Sequence, residues 1–543
     1  MINNQRVVRL RGAVLQKRSV AMAFTLTILS STLAFGLRDT GAQTENIAVV
    51  TARVDSQTVV SRPLLSTSHT RRSSQIAIGP NVQVSKARAD QPHQEVILAA
   101  DPTNSRHLLA GSIVCYPPDE TYKVIVYESL DGGVTWTISL EPARSTPDLG
   151  DMSDPTVAFG PEGEAYFGCN KNLPNKFYQT STDIVYSRRS GQPWSSPITI
   201  ASGLQMDRPY LTVDQTRGKF RGRVYCNNAT LFDALPGTGN TLTATGLYTS
   251  LNRGATFTLP TIRNLQVGSS QVDVHPNNSV VLSDGIVVVP YHLTMRDRPK
   301  VDNLNSPNAW LYVIRSLDGG TSIKRIPPRE DEPKSGEHIV RRQYVTPFHN
   351  TTSNIHTYHS GIPCLAVDAS PLASKDRLYI VWDDDRENGF RTMFSSSQDK
   401  GFTWSAPIQI DDIPRPDGNK SRVEAFMPEV AVNSSGVIGV SWYDTRDVPA
   451  GQEGWNLRFT ASLDGGKTWL PSRRVSDTST LFTQATQRRT PHKERRPPEG
   501  AWYVGDTAGL AADTNGIFHP LWIDNRTGIR QVWTATVTVG DKK

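Results

Sequence analysis

Glu95, Asp154 and Arg208 stand at matching places in three short apolar stretches, "EVILAAD", "DPTVAFG" and "RPYLTVD". Asp207 precedes Arg208 directly, and Asp506 holds the place one residue earlier in a further stretch, "TAGLAAD". Carboxyl groups gathered at one place raise one another's pKa, so one can stay protonated as a general acid beside an ionised neighbour that acts as a base. A guanidinium among them can neutralise the acids or hold a ligand carboxylate through two parallel hydrogen bonds. The competing reading is local, because "DP" and "DRP" are ordinary turn sequences in which each acid caps its own strand.

A second constellation repeats as Trp-x-Asp-x-Arg, in "WDDDR", "WYDTR" and "WIDNR", and puts Arg386, Arg446 and Arg526 at the ends of successive strands. Three such arginines can converge on one acidic ligand, although a motif repeated at equivalent places also suits an Asp–Arg pair that serves its own strand. Tyr443 lies inside the second copy, and Tyr503 stands close to Asp506, after a basic run that includes Arg488, Arg489 and Arg495. His356 and His359 share one long loop, and a lone His pair of that kind is a poor metal site. The chain has no Cys-x-x-Cys pair, so neither a metal nor another cofactor is expected.

The elements that must position these groups come from an internal repeat. Ser-x-Asp-x-Gly-x-Thr-Trp is written well at Ser129, Ser397 and Ser462 and in weakened form at Ser187, Ser250 and Ser316. Its Asp can accept turn N–H groups, its Gly can take a positive φ, and its aromatic residue can pack the turn onto the next strand. Around each copy lie four short strands, as in "PCLAVD", "RLYIVWDD", "RTMFSSS" and "APIQID", and four strands make one blade of a propeller. First strands are read at Glu95–Asp101, Asp154–Gly160, Arg208–Asp214, Gln271–Pro276, Ile362–Asp368, Met427–Asn433 and Thr507–Asp513, one more than the number of turns. The last unit stops where its turn should begin, and "GPNVQVS" (Gly79 to Ser85) matches the strand it lacks. The expectation is an all-β, single seven-bladed propeller closed by an N-terminal strand, with six blades as the alternative. The repeated turns then fall on one face, and the starts of the first strands gather on the other, around the channel.

The repeated turn resembles the Asp-box, or bacterial neuraminidase repeat, and residues 76–540 resemble the sialidase superfamily, particularly its exported bacterial members. That resemblance implies a glycan-directed propeller, with exo-α-sialidase-type hydrolysis as its enzymatic form and non-catalytic glycan or protein binding as the alternative. Family sialidases use an arginine triad, a Tyr nucleophile assisted by Glu, and an Asp acid/base. The resemblance therefore marks Asp154, Asp207, Glu95, Asp506 and Tyr503 as catalytic candidates, with Arg208, Arg386, Arg446 and Arg526 as candidates for holding an acidic sugar. The chain departs from the family in lacking a Phe/Tyr-Arg-Ile-Pro motif before the first box. Its nearest match, "KRIP" from Lys324 to Pro327, follows the fourth box on an outer strand.

The bulk properties agree with this reading. The chain has 543 residues, 40 Gly and 36 Pro, and a net charge of +6 spread along its length, which gives no reason to expect nucleic acid as a partner. Four cysteines cannot make a disulfide scaffold, so stability must come from a buried core. Arg6, Arg9, Arg11, Lys17 and Arg18 precede an uncharged stretch from Ser19 to Leu37, and "TGA" follows at Thr40. Residues 1–42 read as an export signal, or as an uncleaved anchor that would give the only membrane contact, and 43–75 as a flexible linker. The expected protein is a secreted or periplasmic monomer whose partner is a glycan or another anionic ligand.

Overall fold

The computed structural model describes residues 74–116, 121–142, 151–172, 181–203, 206–233, 241–258, 263–265, 272–295, 309–322, 342–348, 362–384, 389–414, 423–481 and 505–541. These residues fold into seven antiparallel sheets. Blade 1 is made of His93–Ala100, Leu108–Tyr116, Thr121–Ser129 and Thr137–Leu140, and each later blade repeats that order of four strands. The first strands of blades 2 to 7 are Met152–Phe159, Met206–Val213, Val272–Pro276, Cys364–Val367, Ala425–Val432 and Gly509–Ala512. The weakly written fourth unit forms a complete blade, which excludes the six-bladed alternative.

Alternation makes the blades. Strands such as Leu378–Asp384 and Ile438–Asp444 are buried along their whole length, because the faces of each sheet pack on the neighbouring blades. Trp382, Trp442, Trp455 and Trp522 are fully buried between blades and supply much of the apolar area.

Five of the six repeated turns share one geometry. Asp131 accepts from Thr135 N at 2.9 Å and from Thr135 Oγ1 at 2.6 Å, while Gly133 N donates to Ser129 Oγ at 2.8 Å. Asp399, Asp464, Asp318 and Asn252 hold equivalent bonds in their own turns. The copy at Ser187 places Arg189 where the acceptor belongs and Pro193 where an N–H donor belongs, so the same network cannot form there. Each turn joins a third strand to a fourth, on the face opposite the starts of the first strands.

The ring closes as expected: Val82 and Gln83 pair with Thr534 and Trp533. Ser74–Ile78 also pairs with Val537–Asp541, so the closing strand starts at Ser74, inside the span read from sequence as linker, and forms a long two-stranded ribbon.

Candidate functional site

Four first strands slip register against their second strands at the same place: at Glu95, at Asp154 and Pro155, at Arg208 and Pro209, and at Met427 and Pro428. At each slip one residue other than glycine has left-handed backbone, with φ of 50° at Glu95, 53° at Asp154, 53° at Arg208 and 50° at Met427. Each such residue costs on the order of 1–3 kcal/mol, and a bulge of this kind re-aims a side chain. Three of the four are the charged residues that the sequence marks as equivalent.

The bulges bring charges from four blades together. Arg208, 4% exposed, forms an ion pair with Asp506 of blade 7. Its backbone N–H donates to Asp154 Oδ2 at 3.3 Å, and Ser153 Oγ donates to the same oxygen at 3.2 Å. Burial pushes the Asp154 carboxyl well above the usual range, the charges of Asp207 and Glu95 add to that, and Arg208 pulls part of it back. Among the described residues, Nε and Nη1 of Arg208 have no hydrogen-bond partner. Gly505, with φ of 94°, seats blade 7 against blade 1, where a Cβ would lie 2.6 Å from Glu95 N.

Below the bulges lies a layer that sequence reasoning missed. Tyr210, Cys364 and Glu429 occupy the same register two residues further along their first strands. Cys364 Sγ donates to Glu429 Oε2 at 3.1 Å and accepts from Val430 N at 3.5 Å, as Thr156 Oγ1 accepts from Leu211 N at 3.0 Å between blades 2 and 3. Burial raises Glu429 to about 8, although the thiol hydrogen bond opposes it. The buried Tyr210 phenol is pushed up by burial and pulled down by Arg208, and it also senses the charge of Glu429. The alignment that pairs Glu95, Asp154 and Arg208 also pairs these three, two residues on, and that was the available signal.

A further buried acid steadies the approach to Arg208. Asp183 accepts from Asn170 Nδ2 at 3.0 Å and from Asn228 Nδ2 at 2.5 Å, and Asn170 Nδ2 also donates to Met206 O at 2.9 Å. Burial raises Asp183 to about 7 against the pull of these two amides.

The Trp-x-Asp-x-Arg arginines are engaged in and between blades. Arg446 Nε donates to Asp444 at 2.9 Å and Nη1 to Asp412 at 2.6 Å. Arg526 holds Asp524 at 2.6 Å, pairs with Asp477, donates to Asn81 at 3.0 Å, and lies 4.1 Å over the Trp533 ring. Tyr443, inside the second copy of the motif, lies in the strand Ile438–Asp444, is fully buried, and accepts from Ile523 N at 3.0 Å. Tyr503, Arg386, the basic run, His356, His359 and Lys324–Pro327 lie outside the described residues. Among the described residues no group of three or more His, Cys, Asp or Glu side chains is arranged to hold a metal ion.

No family model matches the chain, and neither does any curated protein. Solved structures that align with it include a protein of unknown function from Dyadobacter fermentans, at 10% identity over 86% of this chain and 99% of that one with a TM-score of 0.41. An α-L-arabinanase from Penicillium chrysogenum aligns at 12% identity over 85% and 98%, with a TM-score of 0.41. A sialidase from Streptococcus pneumoniae aligns at 11% identity over 82% and 68%, with a TM-score of 0.39. On its own geometry the chain is a seven-bladed β-propeller.

Proposed function

We propose that the chain is an exported, glycan-directed propeller and that the mouth of its channel carries a glycosidase-type acid/base site. The observation that carries this reading is the set of three consecutive bulges that gathers Glu95, Asp154 and Arg208 with Asp207 and Asp506. Asp154, kept protonated by burial and by its acidic neighbours, is the proton donor to a glycosidic oxygen. Asp207 or Glu95 is the second carboxyl, which supports the cationic transition state or activates water. Arg208, buried and paired with Asp506, is the guanidinium of this group that would hold the carboxylate of an acidic sugar. Tyr210, whose phenol senses Arg208, Asp154 and Glu429, and Glu429 itself are of the residue types that the sialidase resemblance implies for a nucleophile and its helper. Arg446 and Arg526 take no part in this scheme, since blade carboxylates already hold them.

The test is release of fluorophore from a panel of aryl glycosides, sialosides included, by wild type and by Asp154→Asn. Turnover that falls at least about a hundredfold in the variant supports the reading. Inertness of folded wild type together with binding of acidic oligosaccharides supports a second reading, a non-catalytic glycan-binding propeller. The absence of an early Phe/Tyr-Arg-Ile-Pro motif and the existing Arg208–Asp506 pair favour that alternative.

A further inference from the structure

The face opposite the channel mouth carries an unusual distribution of apolar side chains. Leu130, Val134, Leu251, Leu372, Phe402 and Leu463 are each 40–65% exposed, and each occupies a turn on this face. Five of them stand at the two positions of the repeated turn whose side chains the Asp network does not use, either just before the Asp or Asn or just before its last N–H donor. The only other large hydrophobic residue exposed to this degree among the described residues is Ile408, on an outer strand. Their spread over blades 1, 3, 5 and 6 makes a ring of separate apolar points rather than one patch. Such a ring is poorly shaped for a compact protein partner and well shaped for a broad, soft surface.

Two further observations choose that surface. Arg106, Arg189, Arg217, Lys219, Lys375 and Lys467 are exposed on turns of the same face, whereas of the exposed acids there Asp399 and Asp464 have their oxygens tied into the turns, Glu162 pairs with Arg253 and Asp284 with Lys400. Basic side chains beside apolar ones favour an anionic lipid headgroup layer. The closing ribbon leaves on this face as well. Phe518, at the turn-face end of its strand, pairs with Val537, and the ribbon then continues to Ser74 and Asp541. Ser74, the first described residue, therefore lies on the turn-face side, and the uncharged stretch from Ser19 to Leu37 precedes it in sequence.

We infer that the turn face is a membrane-docking surface that lies on an anionic bilayer and presents the channel mouth to the opposite side. Apolar side chains on the repeated turns enter the interface, the basic side chains meet the headgroups, and the N-terminal segment holds the propeller close to the lipid. This inference does not depend on the proposed chemistry.

The test uses the full chain with vesicles of phosphatidylcholine and phosphatidylglycerol whose acyl chains are brominated near the headgroup. Trp136 and Trp469 lie in the repeated turns, so docking should quench tryptophan fluorescence, and salt should weaken the quenching. Leu130→Ser/Leu251→Ser/Leu463→Ser, with unchanged thermal unfolding, should reduce the quenching several-fold even where the N-terminal segment still carries the protein into the vesicle fraction. Equal quenching in wild type and variant, or none in either, would overturn the inference. A dimer that forms without vesicles and is lost in the same variant would overturn it too, by assigning the face to a second copy.

Discussion

Arg208 of blade 3 forms its ion pair with Asp506 of blade 7, across the two blades that lie between them around the ring, so a single buried contact spans the side of the channel where Glu95 and Asp154 lie. Removing one member of a buried pair leaves an uncompensated charge, and Arg208→Met should cost about 3–5 kcal/mol in urea unfolding at neutral pH. Arg208→Lys keeps the charge and loses the fork. Affinity for an acidic glycan should fall at least tenfold in that variant, near 1.4 kcal/mol, as read by titration calorimetry. A stability loss with unchanged affinity would reduce Arg208 to a counter-ion.

The buried carboxyls should make stability depend on pH in a definite direction. Glu429 titrates at about 8 in the folded protein and near 4 in an unfolded chain. Between those values the folded state holds a proton that the unfolded state has lost, so stability falls as pH rises through that window and is fully present below it. Asp154, also raised, acts in the same direction. Glu429→Gln should therefore be more stable than wild type at pH ~8, on the order of 1–3 kcal/mol, and the difference should vanish near pH ~4. Denaturant unfolding at the two pH values checks this, and a variant less stable at both would oppose it.

Gly505→Ala should disturb the site without touching a charged group. The added Cβ meets the backbone of Glu95, and φ of 94° disfavours any side chain at that position. Destabilisation of about 1–3 kcal/mol is expected, with a larger proportional loss of glycan binding or turnover than of folded protein. Tolerance of alanine at full stability would show that blade 7 is not pinned to blade 1 at Glu95.

Asp464 has a structural role on the far face. Asp464→Ala strips Lys467 N, Thr468 N and Thr468 Oγ1 of their acceptor and should cost about 1–3 kcal/mol. Ligand binding by the folded fraction should be unchanged. Normal stability with lost binding would place function on the turn face instead.

Removing residues 74–86 takes away both segments that pair with the last blade, Ser74–Ile78 and Val82–Gln83, and exposes Gln531–Thr534 as an edge. Scanning calorimetry should show a clear drop in Tm and a greater tendency to aggregate. An unchanged Tm would mean that the ring does not depend on this closure.

The sequence by itself determined the repeat, and through it nearly all of the architecture. A turn that needs an acceptor, a glycine and an N–H donor at fixed spacing is local chemistry, so each copy announces a third and a fourth strand, and the shortfall at the C-terminus points to Gly79–Ser85. The same alignment made Glu95, Asp154 and Arg208 equivalent before their common bulge was visible. Tertiary structure alone decided which charges meet. Arg446 and Arg526 carry a motif as suggestive as any in the chain, yet each guanidinium is held by carboxylates of its own and neighbouring blades. The Arg208–Asp506 pair joins residues almost three hundred positions apart, and no local pattern encodes that distance. Tyr210 and Glu429 were hidden for a related reason. A bulge adds a residue and shifts the inward–outward alternation of every residue after it, so strand periodicity misassigns the channel layer until the register of all the blades is fixed.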